Sequence, residues 1–202
     1  MRAGILLLVG EPRTRRSVHD RLPDWLSARA VETDSGGRAP GSESARLDGE
    51  IGAALDRSAR VRAEEAVERF RAGRAPAGGR IDAVDSLPLL VEAAREHRID
   101  TLLVRTRGAD VRREVWVGPE PDQLAVRRTE VRYLGEAQPT AAEAADALLR
   151  SALASGAEVA PLPAAAAGPS GDPRDVPVGG LGALLRWPYE DGLPGGGLRP
   201  AT

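Results

Sequence analysis

The stretch formed by residues 80–104, RIDAVDSLPLLVEAAREHRIDTLLV, leaves few folds open to the chain. Leu87, Leu90, Val91 and Ala94 recur at three-and-four spacing, which places them on one face of a helix. Thr101-Leu102-Leu103-Val104 follows almost at once, a short apolar run of the kind that fills a sheet covered on both faces. An amphipathic helix feeding a buried strand is α/β construction. With 42% hydrophobic and 29% charged residues among 202, the chain can bury one good core or two small ones.

Upstream, residues 4–10 read as a fully buried strand. Glu11-Pro12 opens a helix, with Val18, Leu22, Trp25 and Leu26 as its inward stripe and Pro23 as a kink or break. Ala30 to Thr33 completes a β-α-β unit. Alone, such a unit leaves its sheet edges and one face uncovered, so the chain is expected to begin inside a domain. Residues 34–44, DSGGRAPGSES, form the expected boundary. One long helix follows over residues 47–71, with Leu47, Ile51, Leu55, Val67 and Phe70 on its apolar side. Asp56/Arg60 and Glu65/Arg69 stand at i,i+4 spacing on its surface.

Beyond the central stretch, residues 105–113 are a polar connection containing Gly108. Residues 114–118 alternate like a strand with one buried face, and Pro119-Glu120-Pro121 stops it. Residues 123–134 read as a connection with some strand. Thr140-Ala141-Ala142-Glu143 has the form of a capping box, predicting a helix from there to about Ala154 that ends at Gly156. A strand over residues 158–162, an Ala/Gly/Pro-rich loop over 163–177 and a last strand over 179–187 complete the fold, with 188–202 as a disordered tail.

The net charge of −2 and pI near 5.8 exclude a strongly basic, nucleic-acid-coating protein. All 28 basic residues are arginine; with abundant Ala, Gly and Pro this reads as the codon bias of a GC-rich genome, so the arginines as a class say little about phosphate. The absence of Cys excludes disulfides, thiolate catalysis and Cys-ligated zinc. The apolar run over residues 5–9 is too short for a membrane span or a signal-peptide core, so a cytoplasmic protein is expected.

Gly10-Glu11-Pro12-Arg13 is a strand-to-helix turn whose amides could hold phosphate, with Arg13, Arg15 and Arg16 as candidate RNA-binding residues. The plainer reading is a tight turn and a solvated first helical turn, because Glu11 opposes an anion there. Gly179-Gly180-Leu181-Gly182 has the wrong spacing for a dinucleotide fingerprint and reads as close backbone packing. His19 and His97 read as solvent-facing residues, and no metal or cofactor site is expected. Asp82 and Asp85 read as caps of the central helix, and Trp116 and Trp187 as core or rim residues that could also anchor a partner.

In order and spacing, residues 84–104, EVWVGPEP at 114–121 and VGGLGALLRW at 178–187 resemble the C-terminal domain of the archaeo-eukaryotic class-1 release factor and Pelota superfamily, particularly a bacterial release-factor-like branch. Residues 4–38, with ILLLVG and VETDSGGR, resemble the closing portion of that superfamily's central domain. The resemblance implies an α/β chain: a partial ribonuclease-H-like β-α-β segment (1–38), a linker (39–46), a three-layer α/β/α C-terminal domain (47–187) and a tail (188–202). It further implies a ribosome-associated protein acting on or recognising peptidyl-tRNA or stalled ribosomes, with ribosome and tRNA as partners, no cofactor and no membrane. In active members a Gly-Gly-Gln-type loop of the central domain helps water attack the peptidyl ester. The two glutamines here, Gln123 and Gln138, follow Asp122 and Ala137 rather than glycine, so no catalytic residue is carried over. The chain is expected to start after that loop and not to be hydrolytic as it stands. The alternative is a noncatalytic α/β protein-interaction module that makes its contacts through the C-terminal domain.

Overall fold

A computed structural model of the chain describes residues 5–33, 44–74, 80–163 and 175–189. The chain divides into two compact units, Met1–Arg62 and Ala63–Thr202, with the division falling inside one helix.

In the first unit, strand β1 (Leu6–Leu8), helix α1 (Pro12–His19), helix α2 (Asp24–Ser27) and strand β2 (Ala30–Glu32) form the expected β-α-β arrangement. The strands run parallel, Leu6 opposite Ala30 and Leu8 opposite Glu32. Pro23 separates the two helices and stands at the N-cap of α2. The break changes the helical phase, so Leu22 and Leu26 are half-buried while Val18 and Trp25 face outward. The first strand is half-buried rather than fully buried, because among the described residues its one strand neighbour is β2. Helix α3 (Ser44–Arg74) then starts within the segment expected to be a linker and outruns the predicted helix at both ends. Along its first half Ala54 is buried while Ile51 and Leu55 are exposed, contrary to the predicted stripe.

The second unit explains the unbroken apolar runs. Strands β3 (Ile81–Val84), β4 (Ile99–Arg105), β8 (Glu158–Leu162) and β9 (Leu181–Tyr189) form one sheet in the order β3-β9-β4-β8. Strand β9, the last among the described residues, lies between β3 and β4, antiparallel to both, and β4 runs parallel to β8. Successive residues serve opposite faces, as the pleat dictates. Val84, Leu102, Leu181 and Ala183 join one buried cluster with helix α4 (Leu87–Arg95) and helix α6 (Ala144–Ala154). Ala83, Leu103, Ala160 and Leu184 join another with Ala63, Ala66, Val67 and Phe70 of α3. Helices on both faces of a sheet give the three-layer α/β/α architecture expected. Across the layers, Arg69 of α3 donates to Asp100 of β4 at 2.9 Å instead of pairing with Glu65 on its own helix.

A small antiparallel sheet, β6-β5-β7, is built from β5 (Glu114–Val117), β6 (Leu124–Ala125) and β7 (Thr140–Glu143), with helix α5 (Arg128–Tyr133) after β6. The predicted capping box is overturned here. Thr140-Ala141-Ala142-Glu143 pairs with β5, Thr140 opposite Val117 and Glu143 opposite Glu114, and α6 starts only at Ala144. Its first amides are met from a distance, Ala144 N–H by Arg113 O at 2.8 Å and Ala145 N–H by Val111 O at 3.1 Å. Strand β3 was not foreseen, since IDAV merges into the helical pattern that follows it.

The final strand reaches Tyr189; the rest of the expected tail, and residues 164–174 of the Ala/Gly/Pro-rich loop, lie outside the described residues. Among the described residues, no helix is long and apolar enough to cross a membrane.

Candidate functional site

The first candidate surface is the arginine face of α1. Gly10, at φ +132°, turns the chain out of β1, and Pro12 enters the first turn of α1, where its missing N–H is no loss. Glu11 occupies the N-cap position without a side-chain capping bond. Arg13 and Arg16, one turn apart, are exposed, whereas Arg15 is only 5% exposed and turns away from solvent. A shallow groove of about 500 Å³ runs beside them, lined by Pro12, Arg13, Arg16, Ser17, Asp20 and Arg21. Arg13 and Arg21 also line an adjoining depression of about 540 Å³. Arg21, missed by sequence reasoning, reaches this face because the chain turns just after α1, with Arg21 N–H bonded to Val18 O at 3.0 Å. Three cations and one carboxylate on one open surface can meet an anionic backbone but show no enclosed chemistry.

The second surface is a larger groove, about 690 Å³, in the second unit. One wall is α4 and the residue after it, with Pro88, Val91, Glu92, Arg95 and Glu96; the other runs from the β5–β6 connection to the end of α5, with Asp122, Val126, Arg127, Glu130 and Leu134. The second wall is held by two side chains. Gln123 Oε1 accepts from Glu120 N–H at 3.2 Å while its Nε2 donates to Leu134 O at 3.0 Å, which ties the connection to the end of α5. From α6, Arg150 donates to Gly118 O at 2.9 Å and to Pro119 O, fixing the turn of EVWVGPEP. A Cβ on Gly118 would stand 2.4 Å from Gln123 Oε1 and 2.9 Å from its Cβ, so a larger residue there would have to displace the Gln123 side chain. Burial, and then the adjacent Glu96 carboxylate, push the Glu92 carboxyl above its ordinary value, against the opposing pull of Arg98 and Arg95.

The other sequence candidates resolve into structural roles. Gly108, Gly179 and Gly180 bring two backbones together: a Cβ on Gly108 would stand 2.2 Å from Gly179 O, and Gly180 has φ +88°. The cap expected from Asp82 and Asp85 is not made. Asp82 lies within β3, Asp85 pairs with Arg74 at 3.3 Å, and Ser86 is the N-cap residue of α4. His97 is exposed in the left-handed region just past α4, and His19 is half-buried in the last turn of α1. Among the described residues, no group of His, Asp and Glu could hold a metal ion. Trp116 lies half-buried under the Arg128 guanidinium, 5.1 Å from its ring centre, and Trp187 is half-exposed near the end of β9. Gln138 N–H donates to Glu136 Oε1 at 2.6 Å.

Residues 1–76 match the family described as bacterial archaeo-eukaryotic release factor family 2. No curated protein sequence matches the chain. Among solved structures, the C-terminal domain of a peptide chain release factor from Methanosarcina mazei is similar at 18% identity and a TM-score of 0.50, over 74% of this chain and 98% of that one. An archaeal Pelota from a model of ribosome-bound Pelota and ABCE1 is similar at 15% identity and a TM-score of 0.50, over 91% of this chain and 43% of that one. Pelota of Archaeoglobus fulgidus is similar at 18% identity and a TM-score of 0.42, over 91% of this chain and 49% of that one. The chain therefore spans less than half the length of either Pelota. The two likenesses at 0.50 bear on the fold alone and agree with the layered second unit.

Proposed function

We propose, on the premise that this chain belongs through residues 1–76 to the bacterial archaeo-eukaryotic release factors of family 2, that it is a ribosome-associated factor recognising stalled or terminating ribosomes and the peptidyl-tRNA they hold. The carrying observation is the release-factor family match beside a unit with the layered fold of a release-factor C-terminal domain. In this reading the protein works in the cytoplasm. Arg13 and Arg16, joined by Arg21, meet RNA phosphates, while Arg15 supports α1 from within. The C-terminal α/β/α domain makes the protein contacts and performs no chemistry.

Co-sedimentation of the full chain with ribosomes across graded salt tests this. Binding is expected at low salt and should fall steeply as salt rises. Arg13→Glu combined with Arg16→Glu should weaken it and flatten the salt slope by about one for each phosphate contact removed. A chain that stays out of the ribosomal fractions at every salt concentration leaves the protein-interaction module as the reading. With no glutamine following a glycine, this chain should release no peptide above background from peptidyl-tRNA.

A further inference from the structure

The groove between α4 and α5 is lined by the apolar residues Pro88, Val91, Val126 and Leu134 and by four carboxylates against two guanidinium groups, a net negative lining. Glu92, Glu96, Asp122 and Glu130 stand there against Arg95 and Arg127. Two of these carboxylates already have cations, Glu96 from Arg98 and Glu130 from Arg127 at 4.0 Å. Glu92 and Asp122, on opposite walls, make no ion pair among the described residues. Glu92 also shows what the local field lacks: the nearby guanidinium groups of Arg98 and Arg95 do not outweigh its burial and the Glu96 charge. A further cation entering between the walls would offset the burial cost of the Glu92 carboxylate.

The same features narrow the occupant. A phosphate-bearing RNA or an anionic lipid surface is disfavoured by the net negative charge of the lining, four carboxylates against two guanidinium groups. A bare cation leaves the apolar residues of the lining uncovered. A volume of about 690 Å³ accepts several side chains. A peptide segment with cations at its flanks and an apolar residue between them satisfies the carboxylates and the apolar residues of the lining together. We propose that this groove docks a basic segment of a protein partner, an arginine- or lysine-bearing stretch that seats an apolar side chain on Pro88, Val126 and Leu134. The proposal deepens the protein-contact part of the function proposed above and rests on it, but its readout is independent of the ribosome.

The test is fluorescence anisotropy of the full chain with a labelled synthetic helix carrying arginine and leucine on one face, beside the same peptide with glutamate in place of arginine. The arginine peptide should bind and the glutamate peptide should not. Asp122→Lys, on an exposed turn, and Glu92→Gln, nearly isosteric, should each weaken binding, and together by at least about tenfold, equal to about 1.4 kcal/mol. Glu158→Lys, on an exposed residue of the distant strand β8, should leave it unchanged. Val126→Ser should weaken the arginine peptide by removing an apolar contact of the lining. Equal binding of both peptides, equal loss with Glu158→Lys, no loss in the groove variants, or displacement by spermidine as effective as unlabelled peptide would each overturn the proposal. Peptide binding at the groove by a chain that never co-sediments with ribosomes would support the groove and reject the ribosomal reading alone. Co-sedimentation without groove-dependent peptide binding would do the reverse.

Discussion

Glu92 illustrates how a single residue can cost stability while preparing a surface. Its pKa is raised in the folded protein, so the folded state holds this proton more tightly than the unfolded chain does. Stability therefore falls as pH rises from the ordinary glutamate value through the raised one, and the penalty is fully present above that window. Glu92→Gln should raise Tm at neutral pH, with the gain vanishing in acid below the ordinary glutamate value; a gain undiminished in acid would contradict the assignment. Gly108 makes the opposite case, of a residue whose absence of side chain is structural. Its missing Cβ would meet Gly179 O and Gly180 Cα, neither of which can rotate aside. Gly108→Ala should cost about 1–3 kcal/mol, visible as a drop in Tm of roughly 2–4 °C for each kcal/mol in a chain of this size. The close packing of these glycines was legible in the sequence, because consecutive glycines before an apolar run have few other uses. The burial of Arg15 was not, since arginines at 13, 15 and 16 look alike until the direction of each side chain is known.

At the scale of elements, TAAE is the instructive failure. Its spacing satisfies a capping box, yet a hydrogen-bonded neighbour outweighs a local cap, and β5 offers Thr140 to Glu143 a continuous ladder. Thr140→Val should therefore be neutral or stabilising, since a β-branched apolar residue suits a strand, whereas loss of a true N-cap hydroxyl would cost about 1 kcal/mol. Chemical denaturation separates the two. Helix α4 and strand β4 behaved differently: their buried residues include every position marked by the helical stripe and the middle of the apolar run, because both patterns were strong and each lies wholly inside its element. Strand β3 went unread because four residues with one exposed aspartate are too few to set a period against the helix beside them.

For the whole molecule, stability rests on the sheet of the second unit and its two apolar faces. Phe70 is fully buried, and its ring fills the space that Gly182 leaves: a Cβ there would stand 2.9 Å from Phe70 Cε2. Phe70→Ala should cost about 3–5 kcal/mol, measurable in urea. Hydrogen exchange should be slowest in β4 and β9, which lie inside the sheet, and faster in β1 and β2, which form a half-buried pair of strands. From its sequence alone this protein was bound to be an α/β chain with a helix-to-strand centre, because apolar periodicity is a local property and survives without knowledge of neighbours. Only tertiary structure decided that the last strand enters between β3 and β4, that TAAE becomes a strand, that Arg15 is buried, and that acidic residues from separate segments face one another across an apolar groove. Each depends on which distant segments meet and which groups lose water when they do, and neither is written in the spacing of residues along the chain.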